Sequence, residues 1–259
     1  MPAITSRQHP IVKEFRELAH GADALMLLDG WHLLTEAVAA GIAIDTVAWC
    51  GPPTTAEQIT LARAQRGGAH VIEVSGSVLN ALSPVNAPTG VVASAKKPRV
   101  DAQAVLQPAP ALILAGVAIQ DPGNAGAVIR AAAAAGATGV VVDEATANPW
   151  GWKALRASMG ATFHVPVSRP RTIVPAVEAW RAAGVSIVAA VARGGTPMYD
   201  VDLTRPTALL LGGEGAGLPA ALVSSADATI SIPMTDAVES LNVAVAAALL
   251  LYEARRQRR

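Results

Sequence analysis

Three polar stretches interrupt an otherwise apolar second half of the chain. "DPGNAGAVIR" carries Asn124 and Arg130, "LLLGGEGAGLP" carries Glu214 among four glycines, and "ESLNVAVA" carries Ser240 and Asn242. An arginine presents a fork of N–H donors that suits phosphate or carboxylate, and a carboxylate attracts a cation. Hydroxyl and amide side chains add hydrogen-bond donors and acceptors. These residue types predict a polar site that can hold both an anion and a cation.

The glycine-rich stretch differs from a nucleotide phosphate loop. A dinucleotide loop reads G-x-G-x-x-G with an acidic residue about 20 positions later, and a phosphate loop ends in lysine. Here Gly213, Gly215 and Gly217 alternate strictly, no lysine follows, and Glu214 places a negative charge inside the loop. Because glycine lets the backbone come close to a neighbour, we expect a pocket for a neutral or cationic ligand with a flat base.

The first polar stretch is typical of a turn that leads into a helix. Asn124 is the expected N-cap of a helix over residues 125–135, because its side-chain oxygen can accept an unpaired amide. Arg130 then falls on a helix of alanine and valine, on a face expected to be packed. An arginine in apolar surroundings usually has an anion or a carboxylate to meet, although a capped helix with an outward-reaching arginine is also consistent.

The third polar stretch also has a local explanation. Asp236 and Glu239 have the spacing of a capping box, which predicts a helix that begins near Ala237. Asn242 would then interrupt an apolar helix as an amide that needs partners. The apolar band over residues 243–251 covers nearly the whole circumference of this helix, which indicates a subunit interface.

The elements that must position these residues alternate between strands and helices. Short apolar strands separated by helices predict a mostly parallel sheet with helices on both faces, and ligands of such sheets bind at the carboxyl ends of the strands. Residues 24–98 show a similar but weaker alternation, and the proline-rich residues 99–110 read as a linker. The expected strands lie at 111–118, 139–142, 163–165, 186–191, 208–211 and 229–232, and the expected helices at 125–135, 152–159, 173–183 and beyond 237.

Composition indicates a globular protein with local basic clusters. The 259 residues are 52% hydrophobic and 15% charged, and the formal net charge is zero, so nucleic-acid binding would need local patches. Such patches lie near Arg7, Lys13 and Arg16, at 96–99 and at 255–259, although each alone also reads as solvated surface. The N-terminus has no leader pattern and the longest apolar run is too short for a membrane span, so we expect a soluble cytoplasmic protein. The single cysteine and the absence of zinc spacing predict no disulfide and no metal site.

The three stretches, in order and spacing, resemble the signature motifs of the SpoU (TrmH-like) branch of the SPOUT RNA methyltransferases. The motifs are "DPGNAGAVIRAAAAAGA", "GGEGAGLP" and "IPMTDAVESLNVAVA", and the match covers roughly residues 110–259. "ITSRQHPIVKEFRELA" and "LLDGWHLLTEAVAAGI" more weakly resemble the RNA-substrate-binding extension of this family.

The resemblance implies an α/β fold of two domains. A small ribosomal-protein-like domain would occupy residues 1–98, a linker 99–110, and a mostly parallel SPOUT domain 111–259, with a trefoil knot over about 205–250. Family members are homodimers through the knot region and the C-terminal helix. They bind S-adenosylmethionine and transfer its methyl group to a ribose 2'-hydroxyl of RNA, and the basic N-terminal half favours rRNA over tRNA as the target here.

The resemblance also assigns site residues. The catalytic positions it implies are Asn124, Arg130, Glu214, Ser240 and Asn242. The cofactor-binding positions it implies are Leu211, Gly213, Glu214, Gly215, Ile232, Met234 and Leu241. Because guanidinium stays protonated, our hypothesis is that Arg130 clamps a phosphate and stabilises the developing alkoxide, while the proton leaves to solvent or to a phosphate oxygen.

The chain departs from the family pattern at "NPWGWKALRASMGA", where Trp152 precedes Lys153 in place of the usual proline. Trp150 and Trp152 either stack on RNA bases or pack in the protein.

Two other functions compete with an RNA methyltransferase. A catalytically silent RNA-binding or assembly factor could keep the same fold, although all five polar motif positions are occupied. A dinucleotide-dependent oxidoreductase would need the glycine spacing and the downstream acidic residue that are absent here.

Overall fold

The structure, a computed structural model, describes residues 3–21, 24–101 and 103–259. Its contacts divide the chain into two compact units. Unit 1 comprises Met1–Pro98 and Trp150–Phe163, and unit 2 comprises Arg99–Pro149 and His164–Arg259.

Unit 1 is a small α/β body built on a mixed sheet. Its elements are α1 (Pro10–Ala19), β1 (Leu25–Asp29), α2 (Trp31–Ala39), β2 (Ile44–Trp49), α3 (Thr55–Arg66), β3 (His70–Glu73), α4 (Gly76–Leu82), β4 (Val91–Lys96) and α6 (Trp152–Ser158), with a 3₁₀ turn at Ala161–Phe163. In the described part of this unit, four strands pair in the order β1-β4-β2-β3, and only β2 and β3 run parallel. Helix α1 packs on the core through Ile11, Val12, Phe15 and Leu18, which recur at helical spacing.

Unit 2 is an α/β body built on a larger sheet. Its elements are β5 (Leu112–Val117), α5 (Pro122–Ala135), β6 (Gly139–Val142), β7 (Val167–Ser168), α7 (Val174–Ala182), β8 (Ser186–Ala190), β9 (Thr196–Pro197), β10 (Thr207–Gly212), α8 (Ala220–Ser225), β11 (Ala228–Ser231) and α9 (Val243–Gln257), with a 3₁₀ turn at Ala104–Leu106. Its strands follow the order β7-β6-β5-β10-β8-β11-β9, and all the described pairings between these strands are parallel. The prediction of a mostly parallel sheet with a smaller N-terminal α/β domain is confirmed.

The central strands explain why their sequences are almost entirely apolar. β5 and β6 are buried along their whole length, because helices cover both faces of a parallel sheet. Ile113, Leu210 and Trp180 are fully buried in the same core. The chain passes outward through β6 and β7 on one side of β5 and returns on the other, so the strand order reverses between β5 and β10. A reversal of this kind leaves a crevice at the carboxyl ends of the strands.

Two helices begin elsewhere than predicted. Helix α5 begins at Pro122, and its N-cap is Asp121, whose carboxylate accepts the Asn124 N–H at 2.8 Å. The prediction of Asn124 as the cap was wrong, because the Asp-Pro pair starts the helix earlier. Helix α9 begins at Val243 with Asn242 as its N-cap, so the prediction of a start near Ala237 was also wrong.

The residues expected to cap α9 make other contacts. Arg193 contacts Asp236 Oδ1 at 3.4 Å and donates a hydrogen bond to the Val238 carbonyl at 3.1 Å. These contacts hold residues 236–238 in an irregular conformation and compete with helix formation there. The strand expected at 163–165 is also absent from the described fold. A 3₁₀ turn ends at Phe163, and the strand lies at Val167–Ser168.

Residues 150–163 differ from the expected domain division. The sequence assigned them to a domain over 111–259, whereas in the structure they belong to unit 1. Trp152 packs against the core of unit 1, and Trp150 is 8% exposed, so packing accounts for Trp150.

Candidate active site

A cavity of about 450 Å³ opens at the carboxyl ends of β10, β8 and β11 in unit 2. This volume lies within the range of about 300–1,000 Å³ that is usual for small-molecule sites. Its walls are the end of β8, the glycine-rich loop after β10, and the segment that joins β11 to α9. The lining includes all seven positions expected to bind a cofactor: Leu211, Gly213, Glu214, Gly215, Ile232, Met234 and Leu241. It also includes three of the five expected catalytic positions, Glu214, Ser240 and Asn242, whereas Asn124 and Arg130 are not lining residues.

Sequence reasoning missed part of this lining. The end of β8 contributes Ala190, Val191 and Ala192, which are small apolar residues without a distinctive pattern. Only the rule that ligands bind at strand ends could have indicated them. Glu239, which was assigned to a helix cap, lines the cavity instead. The apolar side of the cavity continues onto α9 through three further residues: Val243, Ala246 and Leu250.

The glycine-rich loop packs closely against the chain itself. A Cβ added at Gly212 would lie 2.0 Å from the Gly217 carbonyl carbon, and one added at Gly213 would lie 1.9 Å from the Ala118 carbonyl oxygen. Gly215 and Gly217 have φ angles of +84° and +63°, which favour glycine. The loop therefore needs all four glycines for its own conformation, independently of a ligand.

Three polar side chains from different elements form a continuous hydrogen-bonded chain. Asn242 Oδ1 accepts the N–H groups of Ala244 at 2.9 Å and Val245 at 3.3 Å, so its Nδ2 must point away from α9. That Nδ2 donates to Asn124 Oδ1 at 3.0 Å, and Asn124 Nδ2 in turn donates to Glu214 Oε1. The two backbone N–H groups fix the orientation of the Asn242 amide. Exchanging the oxygen and nitrogen of either asparagine side chain would therefore place two acceptors or two donors opposite each other. We call these three residues the Asn-Asn-Glu chain.

The charges around the cavity are negative. Glu214 and Glu239 line it, and no lysine, arginine or histidine does so in the described part of the chain. Arg193, which is not a lining residue, is engaged with Asp236 and the Val238 carbonyl. The cavity is therefore suited to a ligand of net positive charge, and it lacks the cationic side chains that bind phosphate.

Arg130 lies on the third turn of α5 and is exposed. The prediction that it sits on a packed face was therefore wrong. Within the described residues its side chain has no hydrogen bond or ion pair, and it does not line the cavity. Its guanidinium is accordingly available for an anion that comes from outside the protein.

The arginines near the C-terminus are mostly engaged within the fold. The carbonyl groups of Pro110, Ala111, Leu203 and Arg205 accept hydrogen bonds from Arg258, at 2.6–3.2 Å, and burial lowers the pKa of its guanidinium. Arg256 bonds both carboxylate oxygens of Glu253 at 2.8 Å.

These contacts explain the perturbed acidity of Glu253. The hydrogen bonds from Arg256 are the main reason that the pKa of this carboxyl is lowered to about 2. Burial opposes the shift, and a further hydrogen bond from Gln257 supports it. The cluster therefore anchors the end of α9, and most of it is not free to bind nucleic acid.

Neither a metal site nor a membrane span is found in the described structure. Among the described residues, no group of three or more His, Cys, Asp or Glu side chains could hold a metal ion. Nor does any helix in residues 3–21, 24–101 or 103–259 have the length and apolar character that crossing a membrane requires.

Known proteins share this architecture. Residues 111–252 match the SpoU rRNA methylase family, and residues 10–93 match the MRM3-like substrate binding domain. An uncharacterized tRNA/rRNA methyltransferase of Synechocystis sp. is 33% identical over 261 residues, which cover 98% of this chain and 94% of that protein. The 23S rRNA (guanosine(2553)-2'-O)-methyltransferase of Bacillus subtilis is 42% identical over 138 residues, 53% of this chain and 55% of that protein.

A solved structure is similar over almost the whole length. The crystal structure of an AdoMet-bound rRNA methyltransferase from Sinorhizobium meliloti has a TM-score of 0.89 at 31% identity, covering 98% of this chain and 97% of that chain. The matched family region contains all three polar stretches from which the site was predicted. This chain belongs to the SpoU rRNA methylase family.

Proposed function

We propose that the protein transfers the methyl group of S-adenosylmethionine to a ribose 2'-hydroxyl of structured RNA, with ribosomal RNA favoured over transfer RNA. The observation that carries the proposal is the cavity of unit 2, which has two carboxylates and no cationic side chain among its described lining residues. S-adenosylmethionine is a sulfonium cation without phosphate. A dinucleotide would instead bring a pyrophosphate, which these carboxylates repel.

The residues of the cavity fit this cofactor. Ile232, Met234 and Leu241 offer apolar contacts for adenine, and the backbone of the glycine-rich loop offers polar groups at close range. Glu214 and Glu239 complement positive charge. When bound, the cofactor supplies an electrophilic methyl group that leaves by in-line displacement, so orientation is a large part of catalysis.

Arg130 would bind the phosphate beside the acceptor ribose. Its exposure and its lack of a described protein partner leave the guanidinium fork free for this contact. Since guanidinium does not give up its proton, Arg130 stabilises the developing alkoxide, and the hydroxyl proton leaves to solvent or to a phosphate oxygen. Arg130→Lys keeps the charge but loses the bidentate geometry, so we expect a clear fall in methyl-transfer rate. A rate near that of the wild type would exclude the clamp.

The Asn-Asn-Glu chain would hold the catalytic surface in one arrangement. It links the first turn of α5, the loop after β10 and the start of α9 through hydrogen bonds whose directions are all determined. The Glu214 carboxylate is thereby held at the cavity wall. Ser240, which is exposed and lines the cavity, would contact the acceptor nucleotide.

Ribosomal RNA is favoured for two reasons. The relative in Bacillus subtilis is named as a 23S rRNA 2'-O-methyltransferase, and residues 10–93 resemble a dedicated substrate-binding domain. Unit 1 also exposes Arg7, Lys13 and Arg16. A separate RNA-holding domain suits a large folded target, and the protein would act on it in the cytoplasm.

A second copy of this chain would cover α9. Val245, Leu249 and Tyr252 are 48%, 39% and 51% exposed, and their i, i+4, i+7 spacing places them on one stripe of the helix. An apolar stripe of this kind is typical of a subunit interface. We therefore propose a homodimer through α9 and the region over about 205–250, where the trefoil knot stays a prediction.

Direct titration tests the cofactor. Calorimetry should detect binding of S-adenosylmethionine to the wild-type protein and none of NAD. Glu214→Gln should weaken cofactor binding, whereas Glu178→Gln, at a residue outside the cavity lining, should not. Binding of NAD without S-adenosylmethionine would overturn the proposal.

Mapping of 2'-O-methyl groups tests the reaction and its substrate. RNA from cells with and without the gene should differ at a position in 23S rRNA, and the purified protein should restore that methyl group in vitro. A missing tRNA methyl group would correct the substrate. Cofactor binding without methylation of any RNA would identify the silent RNA-binding factor instead.

A further inference from the structure

Unit 1 has a cavity whose described lining residues all belong to that unit. Its volume is about 570 Å³, and it lies between the turn before α1, the end of α1, the end of α4 and the start of α6. The lining residues are Arg7, Arg16, Ala19, His20, Asn80, Ala81, Leu82, Ser83, Pro84, Trp152 and Lys153. In the described part of unit 1, no carboxylate lines it, whereas three cationic side chains do.

Contacts within unit 1 position two of the three cations of this cavity, Arg16 and Lys153. The buried face of α1 leaves Arg16 on the exposed side, where its Nε donates to the Ala81 carbonyl at 3.4 Å. Lys153 Nζ lies 5.4 Å from the centroid of the Trp152 ring, and Trp152 packs on the core of unit 1. Arg7 and Lys153 are exposed. Three positive charges therefore gather beside an aromatic wall on a chain whose net charge is zero.

The polar groups behind the cavity do not cancel this charge. The Ser83 hydroxyl donates to Asp29 at 2.5 Å, and the charge of Arg156 acts on the same carboxylate. Asp29 is 8% exposed and is not a lining residue. An anion that enters the cavity thus meets cations without competition from a lining carboxylate.

We propose that this cavity binds one nucleotide of the RNA substrate, other than the one that is methylated. Arg7, Arg16 and Lys153 would hold its phosphate, and its base would lie against Trp152 with the Asn80 amide as a hydrogen-bond partner. The cavity is larger than a phosphate alone requires, and a base accounts for the aromatic wall. This assignment rests on the proposed function for its choice of RNA as the partner.

The cavity also gives a role to Trp152 and Lys153, where the sequence departs from the family pattern. Trp152 and Lys153 belong to residues 150–163, which lie between two parts of unit 2 in the sequence but belong to unit 1 in the structure. They complete a cavity whose other described lining residues come from the first 84 residues. The Trp-Lys pair is therefore a specificity feature of the substrate-binding unit.

A charge-matched pair of double variants tests the phosphate contacts. Arg7→Gln/Lys153→Gln removes two cavity cations, and Arg63→Gln/Arg66→Gln removes two exposed cations of α3 in the same unit, outside both cavities. For unmodified 23S rRNA, we expect the first variant to bind about 10- to 100-fold more weakly than wild type. Its slope of log Kd against log salt should fall by about 1.5–2. The α3 variant should bind within about twofold of the wild type and keep the wild-type salt slope. Equal affinities and salt slopes for the two variants would overturn the proposal.

The aromatic wall and the source of the ligand need separate variants and competitors. Trp152→Phe keeps a flat ring and should bind like wild type, whereas Trp152→Leu should lose about tenfold in affinity, provided that thermal unfolding shows both to be folded. Inorganic phosphate and AMP should not displace the RNA at micromolar concentration. Displacement by either would assign the cavity to a free small molecule and overturn the proposal.

Cofactor binding separates this proposal from the proposed function. Each variant should bind S-adenosylmethionine as the wild type does, because the cofactor cavity is formed by unit 2. If the wild type binds rRNA but methylates none, the proposed function fails, while the loss of affinity in Arg7→Gln/Lys153→Gln still supports the cavity. If the wild type methylates rRNA and this variant binds it normally, only the cavity assignment fails.

Discussion

Replacing Asn242 by aspartate would separate two roles that this side chain combines. Its Oδ1 caps α9 through the N–H groups of Ala244 and Val245, and its Nδ2 donates to Asn124 Oδ1 at 3.0 Å. Aspartate is as good an N-cap as asparagine, and its charge is favourable at the N-terminus of a helix. It has no N–H group, however, so it cannot donate to Asn124.

The rest of the Asn-Asn-Glu chain cannot compensate for this loss. If Asn124 keeps its orientation, its Oδ1 faces a carboxylate oxygen. If the amide of Asn124 turns over, its Nδ2 meets the new aspartate but its Oδ1 then faces the Glu214 carboxylate. Either way one hydrogen bond is lost and two acceptors are opposed, which we expect to cost about 1–2 kcal/mol in positioning of the site. This corresponds to a fall of about 5- to 30-fold in kcat/KM.

Stability and rate should therefore respond differently in two variants. Asn242→Asp keeps the cap, so it should lose less stability than Asn242→Ala, but it should lose activity, as measured by transfer of labelled methyl groups from S-adenosylmethionine to unmodified 23S rRNA. Asn242→Ala loses both roles, so its free energy of unfolding should also fall by about 1–2 kcal/mol. Wild-type kcat/KM in Asn242→Asp would refute a positioning role for the chain. A loss of stability in Asn242→Asp as large as that in Asn242→Ala would refute the separation of the two roles.

Three further variants test the loop, the helix α9 and its anchor. Gly213→Ala places a methyl group 1.9 Å from a backbone carbonyl oxygen, so it should lower the free energy of unfolding by about 1–3 kcal/mol and weaken cofactor binding. Gly215→Ala has open space around its Cβ and should cost only about 1 kcal/mol of backbone strain. Leu249→Glu should yield a monomer by light scattering, whereas Ile59→Glu, a comparably exposed position on α3, should not change the oligomeric state. The lowered pKa of Glu253 means that its carboxylate stabilises the fold above about pH 4.5 and that this contribution is lost as pH falls toward 2. In urea unfolding near neutral pH, the wild type should have a free energy of unfolding at most about 3 kcal/mol above that of Glu253→Gln, and less because solvent screens its exposed arginine partner. This difference should shrink as the pH falls from about 4.5 toward 2. A difference that grows on acidification would contradict this assignment.

Much of the sheet was predictable from the sequence, because buried parallel strands are short apolar runs between turns. The strand at 139–142 was predicted with the observed bounds, and the strand expected at 208–211 differs from β10 by one residue at each end. The short strand β9 was not predicted, since its two residues carry no usable periodicity. Helix α8 was likewise missed, because six residues are too few to show a helical pattern.

Helix starts were less predictable because local rules allow several caps within one stretch. Asp121 and Asn124 are both good caps, as are Asp236 and Asn242. In the second case a long-range contact decides the outcome, since Arg193 lies more than 40 positions earlier in the sequence than Asp236. The prediction of the site is limited by the same uncertainty in where α9 begins. The sequence identified Asn242 as an amide that needs partners, but its role as the link between α9 and Asn124 depends on where the helix begins.

The glycine-rich loop does approach a neighbour closely, as the sequence indicated, but that neighbour is the chain itself. The glycines indicated that the backbone approaches something closely, and the sequence suggested a ligand. In the structure, the close neighbours of Gly212 and Gly213 are Gly217 and Ala118 of the same chain. The glycines therefore carry no information about what binds. The choice of a cationic cofactor depends instead on Glu214 and on the cavity's other carboxylate, and these two residues are where the proposed function should be tested first.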